Sequence, residues 1–304
     1  MIIEREDQVT EAVLSETWRI EDPRLKQIIQ SLIRHLHGFA REVRLTEQEF
    51  NAAINLVSAL GKLTTDSHNE TRLIAGSLGL STLVCMMNNA GTTANLLGPF
   101  WRKDAPFVEN GGSIVRSPTP GHPLFFTGHV VDTDGKPIAG AHVDVWHAST
   151  KGLYENQDPS QADWNLRGRF TTDETGTFNY RTIKPSGYPV PAGGPTEKLL
   201  NVQHRHPFRP AHLHALVYKE GFKTIASQVY CDDDENLATD AQFGVIANAI
   251  GHCVRHEERA ADRDVQGPWY SMAYTFVLMH GDSWLPTPPV SAKSNVAAAS
   301  MGTA

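Results

Sequence analysis

Residues 209–214 read RPAHLH, with histidines at 212 and 214 one residue apart. Side chains alternate along a β-strand, so a strand through HLHALVYK (212–219) aims both imidazoles at one face, with Leu216 beyond them. Leu213, Ala215 and Val217 then face the opposite way, toward a core. Imidazole nitrogen suits Zn, Cu, Fe and Ni, so the pair alone selects no metal. Several residues could complete a site. Glu220 follows His214 by six positions, Cys231 and Asp232 to Asp234 end the next apolar run, and His204 and His206 lie upstream in a loop. Tyr154 in KGLYENQD and Tyr188 in KPSGYPVP are loop tyrosines in an otherwise Gly- and Pro-rich setting. Spacing leaves the choice among these open.

The whole chain narrows the class. It has 304 residues, 40% hydrophobic and 20% charged, enough apolar content for a packed core. The net charge of −7 argues against a nucleic-acid phosphate binder, though one arginine can still hold a small anion. Three cysteines, none in a C-x-x-C spacing, give neither a disulfide framework nor a zinc knuckle. The opening MIIEREDQVTEAVL is charged and lacks an apolar leader, and no run of ~18 apolar residues occurs. The expectation is a cytoplasmic protein with no membrane insertion.

Positioning falls to two kinds of element. In PRLKQIIQSLIRHLHGFA the apolar residues Leu25, Ile28, Ile29, Leu32, Ile33 and Leu36 form one helical stripe, with Pro23 in the first turn. Thr46 and Glu49 form a capping box for the next helix, and Ser67 with Glu70 repeats the pattern before RLIAGSLGLSTLVCMMNN. That last segment is apolar on more than one face and is expected to be buried between elements. After Gly98-Pro99 the pattern changes to short strands: FFTGHVV, AHVDVWHA, GRFTT, FNYRTI, HLHALVYK, TIASQVYC and WYSMAYTFVLM. The turn sequences TDGK (133–136) and DETG (173–176) separate them. The expected fold is mainly β with α: an antiparallel β-sandwich domain (106–290) after an N-terminal helical domain (1–105), with a flexible tail (291–304). Residues 150–168 and 184–208 read as long functional loops.

The ordered set DVWHASTKGLYENQD, LRGRFTTDETGTFNYRTIKPSGYPVP, HRHPFRPAHLH and SQVYCDDDE resembles the intradiol aromatic-ring dioxygenases over residues 97–244. These are non-haem Fe(III) enzymes that cleave catechols between the two hydroxyls. The helical first hundred residues resemble the catechol and hydroxyquinol branch of that family, which implies that residues 1–105 are a helical dimerisation and linker domain and that the β-sandwich (106–290) is the catalytic domain. The resemblance implies that Tyr154, Tyr188, His212 and His214 hold one Fe(III) per subunit. Phenolate is a hard anionic donor, so two of them suit a hard trivalent cation, which in turn lowers their pKa. It further implies that Tyr188 leaves the metal when substrate binds and takes a substrate proton, that Arg209 stabilises developing negative charge, and that Gln228 sits beside them.

Family positions shaping the ring slot fall on Leu73, Gly76, Leu96, Leu97, Gly98, Pro99, Val190, Pro191, Arg209 and Gln242. Gly76 departs from the acidic residue common in hydroxyquinol enzymes, whereas LLGPFWRKDAPF and GGSIVRSPTPGHPLFFTG resemble that branch most. The implied reaction is O2-dependent cleavage of hydroxyquinol, with catechol as the alternative. The implied partners are a second subunit through the N-terminal helices and a bound phospholipid there. Rival readings are a binding protein on an inactive scaffold and a cupin-like Fe(II) or Mn enzyme using Glu220.

Overall fold

The computed structural model describes residues 2–260, 265–290 and 293. The stretch 291–304, expected as a tail, therefore lies outside the described residues apart from Lys293. The chain forms two compact units, residues 1–58 and 59–304.

In the first unit, α1 (Val9–Ser15) precedes α2 (Pro23–Glu42), which starts as its sequence requires. Asp22 accepts hydrogen bonds from the backbone N–H groups of Arg24 and Leu25, and Pro23 occupies the first turn. The stripe of α2 stays open to solvent in the single chain, with Leu25, Ile28, Leu32 and Leu36 all about half exposed. Next comes α3 (Glu47–Leu63), entered through the Thr46–Glu49 capping box.

The second unit continues with α4 (Glu70–Ser77) and α5 (Leu80–Asn88). Two expectations fail here. Asn69, not Ser67, caps α4, accepting from the Arg72 N–H at 3.0 Å. Glu70 instead turns inward, where its carboxylate accepts from the Thr196 N–H and meets His68 Nε2, each at 2.8 Å. The apolar segment is also not one buried helix. Gly79 at φ 72° breaks it, and although α4 buries Leu73, Ile74 and Gly76, α5 buries nothing: Leu80, Leu83, Val84, Met86 and Met87 are each at least half exposed.

Among the described residues eleven strands follow: β1 (Pro123–Asp132), β2 (His142–Trp146), β3 (Arg167–Thr171), β4 (Thr177–Ile183), β5 (Tyr188–Pro189), β6 (Phe208–Arg209), β7 (His212–Tyr218), β8 (Ile225–Cys231), β9 (Ile250–Gly251), β10 (Val254–His256) and β11 (Trp269–Leu278). They form a four-stranded sheet β10-β11-β1-β4, a five-stranded sheet β3-β2-β7-β8-β9 and a ribbon β5-β6. Most pairings are antiparallel, but β1 with β11 and β8 with β9 are parallel. The two larger sheets enclose one apolar core. Phe126, Val130, Tyr180 and Phe276 come from the first sheet, and Val143, Leu213, Ala215, Val217 and Val229 from the second. The loop 184–208 contains β5 and a short helix, α6 (Pro195–Val202). No helix among the described residues is long and apolar enough to cross a membrane.

Candidate active site

Three segments carry the chemistry to one point on the five-stranded sheet. Strand β7 buries Leu213, Ala215 and Val217 in the core, so His212 and His214 must face outward on the other side, where both are only 1% exposed. Register then fixes their neighbours. Trp146 on β2 and Gln228 on β8 stand opposite His214, and Tyr230 stands opposite His212. The Trp146 ring lies flat on the His214 ring, 4.7 Å between centroids. The ribbon pairs Tyr188 with Arg209 directly, which brings the loop tyrosine over the end of β7.

Tyr154 arrives from the loop after β2. Its turn is closed by hydrogen bonds between Ser149 and Leu153 and from Gly152 to Ser149, both 2.9 Å. Gly152 is at φ 75°, and a Cβ there would stand 2.5 Å from Tyr188 Cβ. Only glycine lets the two tyrosine loops pass this closely. Behind Tyr154, the buried Glu155 pairs with Arg167 at 2.5 Å and with Arg102. Gly98 makes a second close approach: at φ 74°, its Cβ would lie 2.9 Å from His214 Cε1.

The result is a cluster of four buried donor atoms. The Tyr154 hydroxyl is 2.7 Å from that of Tyr188 and 2.8 Å from His214 Nε2, and the Tyr188 hydroxyl is 3.3 Å from His212 Nε2. His212 Nδ1 sits 2.7 Å from the Pro210 carbonyl, so that nitrogen carries the proton and Nε2 turns a lone pair inward. His214 Nδ1 is buried with no hydrogen-bond partner. His147, equally buried, differs in having both nitrogens paired, with Ala148 O and Thr182 Oγ1. Burial, with Arg209 nearby, pushes His212 down to about 3; burial and the His212 ring hold His214 well below its ordinary value. Burial raises both Tyr154 and Tyr188; the neighbouring Tyr188 pushes Tyr154 up further, whereas Arg209 and the hydrogen bond with Tyr154 partly offset the rise at Tyr188. Left alone, the four groups are neutral. Two oxygens able to become anions and two neutral nitrogens, converging without a carboxylate, are the donor set a hard trivalent cation needs.

Arg209 is held by Gln228, which the resemblance places beside it, and by Asp240 and Tyr230, to which the sequence assigns no role. Its Nε and Nη2 each lie 3.1 Å from an oxygen of Asp240, a bidentate pair with both side chains buried. Nη2 is also 2.8 Å from Gln228 Oε1 and 2.7 Å from the Tyr230 hydroxyl, which donates to the same Gln228 oxygen at 2.5 Å. Gln228 Nε2 donates to the Leu96 carbonyl at 2.9 Å. Burial works against charge on Arg209, but Asp240 and the surrounding phenols override it and keep the guanidinium charged. Nη1 remains 3.3 Å from His212 Nε2, facing the donor cluster.

A cavity of about 1000 Å³ opens beside this cluster, and all ten residues assigned to the ring slot line it, together with Tyr188 and Gln228. The departure at Gly76 acquires a physical correlate. A Cβ there would overlap Gln242 Oε1, whose amide Nε2 donates to Ser77 Oγ at 2.7 Å. Gln242 fills the space that a side chain at 76 would use. Other candidates are not brought in. Glu220 is exposed beyond the far end of β7, His204 is exposed, and His206 bonds Thr239. Cys231, Asp233 and Cys253 place ligand atoms within 4.8 Å of one another elsewhere, but Lys184 already supplies a positive charge there, 3.0 Å from Asp233.

Residues 96–281 match the family described as Dioxygenase, and residues 22–95 match Catechol dioxygenase N terminus. The chain belongs to the intradiol dioxygenases, in their hydroxyquinol and catechol branch. It is 37% identical over 281 residues to hydroxyquinol 1,2-dioxygenase of Rhizobium sp. (strain MTP-10005), covering 90% of this chain and 95% of that one. The solved hydroxyquinol 1,2-dioxygenase from Pseudomonas putida DLL-E4 superposes with a TM-score of 0.80 at 34% identity, over 91% of this chain and 99% of that chain. Catechol 1,2-dioxygenase from Acinetobacter sp. ADP1 gives 0.82 at 29% identity, over 96% of this chain and all of that chain. As an intradiol dioxygenase the protein is an oxidoreductase of a family that uses non-haem iron, and a helical N-terminal part before a β catalytic part is the family's architecture.

Proposed function

We propose that this dioxygenase cleaves hydroxyquinol (benzene-1,2,4-triol) between its adjacent hydroxyls, giving 3-hydroxy-cis,cis-muconate and, by tautomerisation, maleylacetate. Tyr154, Tyr188, His212 and His214 hold one Fe(III) per subunit. The observation that carries this reading is the buried convergence of two phenols and two imidazoles, the nearest pair 2.7 Å apart. Iron held there would lower the phenol pKa values and would supply Lewis-acid chemistry toward an ortho-diol in its reaction with O2.

The protein's own groups supply the rest. Tyr188, the one donor that also lines the cavity, is placed to take a proton from an entering hydroxyl. Arg209, fixed by Asp240 and Gln228, faces negative charge that develops on the ring oxygens. Leu73, Leu96, Val190, Gly98 and Pro99 line the cavity and give the ring an apolar surface to lie against. Plain catechol, giving cis,cis-muconate, is the second reading. It is favoured by one observation: no Asp or Glu lines the cavity among the described residues, so no carboxylate waits for a third hydroxyl.

Two measurements test these statements. Iron-loaded protein is expected to be red, from tyrosinate-to-Fe(III) charge transfer, and to take up O2 faster with hydroxyquinol than with catechol or chlorocatechols. A colourless iron-loaded protein sinks the ligand assignment, and faster uptake with catechol transfers the substrate to the second reading. The open stripe on α2 supports a homodimer joined through the N-terminal helices; a phospholipid seated among those helices and a cytoplasmic location complete the proposal. Light scattering is expected to give twice the 33.5 kDa chain mass, and a monomer rejects the pairing.

A further inference from the structure

We infer that Cys231, Asp233 and Cys253 form a second cation site, one that takes a thiophilic divalent ion such as Zn2+ or Cd2+. The site is independent of the ring-cleavage reading and uses none of the groups assigned to it. Its basis is convergence. Each of the three residues offers one ligand atom, and the three atoms lie within 4.8 Å of one another. Around one tetrahedral ion, thiolates held at ~2.3 Å stand roughly 4 Å apart, so shifts of about an ångström complete the set. A disulfide would demand sulfurs ~2.05 Å apart and would leave the carboxylate without a part.

The fold assembles this group, and no local motif does. Cys231 ends β8, where it pairs with Gly251 of β9, and Cys253 follows two residues later. Other bonds hold the two segments together. The Asp232 N–H donates to the Gly251 carbonyl at 3.1 Å, and Asp232 Oδ1 accepts from the Cys253 N–H at 2.9 Å. The ligands are therefore placed before any ion arrives. In the acidic run 232–234 the outer two members are engaged elsewhere. Asp232 also meets His252, and Asp234 accepts from the N–H groups of Ala211 at 2.8 Å and Asn236 at 2.9 Å. Asp233 is the member that meets the thiols. Cys231 and Cys253 belong to the core between the sheets, whereas Tyr230 bonds Arg209 on the other face. The site thus lies across the five-stranded sheet from the tyrosine and histidine cluster.

Electrostatics selects the ion. Both cysteines are free and buried, 0% and 8% exposed, while the Asp233 side chain is 44% exposed and gives an ion its path from solvent. The hydrogen bond with Cys253, and burial, hold the Cys231 thiol well above its ordinary value. That sulfur stays protonated in the free protein, and binding releases the thiol protons to solvent. Lys184 Nζ, 3.0 Å from Asp233 Oδ1, already neutralises the carboxylate. An oxygen-seeking cation such as Mg2+ gains little there, whereas a thiophilic one gains two thiolates. One negative charge is left when two thiolates and a carboxylate meet a divalent ion, and the Lys184 ammonium cancels it. Three protein ligands leave a fourth position for water.

The test titrates iron-loaded protein, with its thiols reduced, against Cd2+. It reads the ultraviolet thiolate-to-cadmium charge-transfer band and the bound cadmium and iron by elemental analysis. Wild type is expected to bind one Cd2+ per chain, with the band complete at one equivalent and the iron content unchanged. Excess Zn2+ is expected to reverse the band, and excess Mg2+ to leave it. Cys231→Ser and Cys253→Ser are near-isosteric, and each is expected to lose about half the band and to weaken binding by at least the roughly 10–100-fold that loss of even an outer-shell partner costs. Asp233→Asn changes an exposed side chain, so it tests the site without disturbing the core; about tenfold weaker binding with the band retained is expected. Cys85→Ser, a cysteine outside the cluster, is expected to match wild type in both readings. The inference is overturned by a reduced wild type that takes up no cadmium, by uptake without the band, or by iron lost as cadmium enters. A full band in Cys253→Ser, full affinity in Asp233→Asn, or a band that vanishes in Cys85→Ser overturns it equally.

Discussion

Tyr188→Phe is expected to keep most of its iron and to lose about 10²–10⁴-fold in turnover. Phenylalanine preserves the ring, so the packing of Tyr188 against the Gly152 turn and its pairing with Arg209 persist. Tyr154, His212 and His214 remain as donors. What disappears is one anionic donor and the group placed to accept a substrate proton at the cavity wall. The folded state loses a buried hydrogen bond to the Tyr154 hydroxyl, worth about 1 kcal/mol. Elemental analysis separates this outcome from simple metal loss. Wild-type oxygen uptake by the iron-loaded variant would falsify the proton-accepting role.

Asp240→Asn is expected to damage both stability and rate. Asp240 and Arg209 have side chains 2% and 4% exposed, and their pair is bidentate. Removing one member of such a pair leaves a buried charge without compensation, which costs about 3–5 kcal/mol. That is a large part of the ~5–15 kcal/mol that stabilises a typical domain. The same loss frees Arg209 to leave its place beside His212, and a displaced oxyanion-type donor costs about 10²-fold in kcat. The acid limb changes too. Burial raises the Asp240 pKa, but Arg209 and the Gln242 and Gly244 N–H groups lower it further, so the folded value lies below the unfolded one. The wild-type pair therefore stabilises fully above the ordinary aspartate pKa of ~3.9 and loses that contribution as pH falls through the lower folded value. The variant lacks this part of the profile. Denaturant unfolding at neutral and acidic pH, beside oxygen uptake, measures both effects, and an unchanged midpoint with unchanged rate would show Asp240 to be dispensable.

The strands were legible because period-2 alternation and turn chemistry agree locally. HLHALVYK buries alternate residues against the core, and Gly135 and Gly176 take the positive φ that TDGK and DETG imply. The parallel pairing of β1 with β11 was not legible, because strands about 140 residues apart in sequence leave no local signature of direction. At α4 the capping pattern Ser67–Glu70 matched a local rule, but Glu70 found a tertiary partner at Thr196 and Asn69 took the cap. In the site, the histidines, tyrosines and Arg209 carried recognisable spacing or motif. Tyr230 lies inside the motif SQVYCDDDE but has no role legible from it, and Asp240 carries no motif at all. An aspartate in ATDAQFG reads as a turn residue, and only the fold brings it against Arg209, 31 positions away.

The β5–β6 ribbon has one more consequence. It pins the backbone of Tyr188 to that of Arg209, and the crossing at Gly152 closes off the other side. Any swing of the phenol away from its partners must therefore be a rotation about side-chain bonds. Rotamer changes take picoseconds to nanoseconds where neighbours permit them, against microseconds or longer for loop opening. On the proposed function, a single ring turning about its own side-chain bonds is enough to bring Tyr188 on and off its partners, with no change in the β5–β6 pairing.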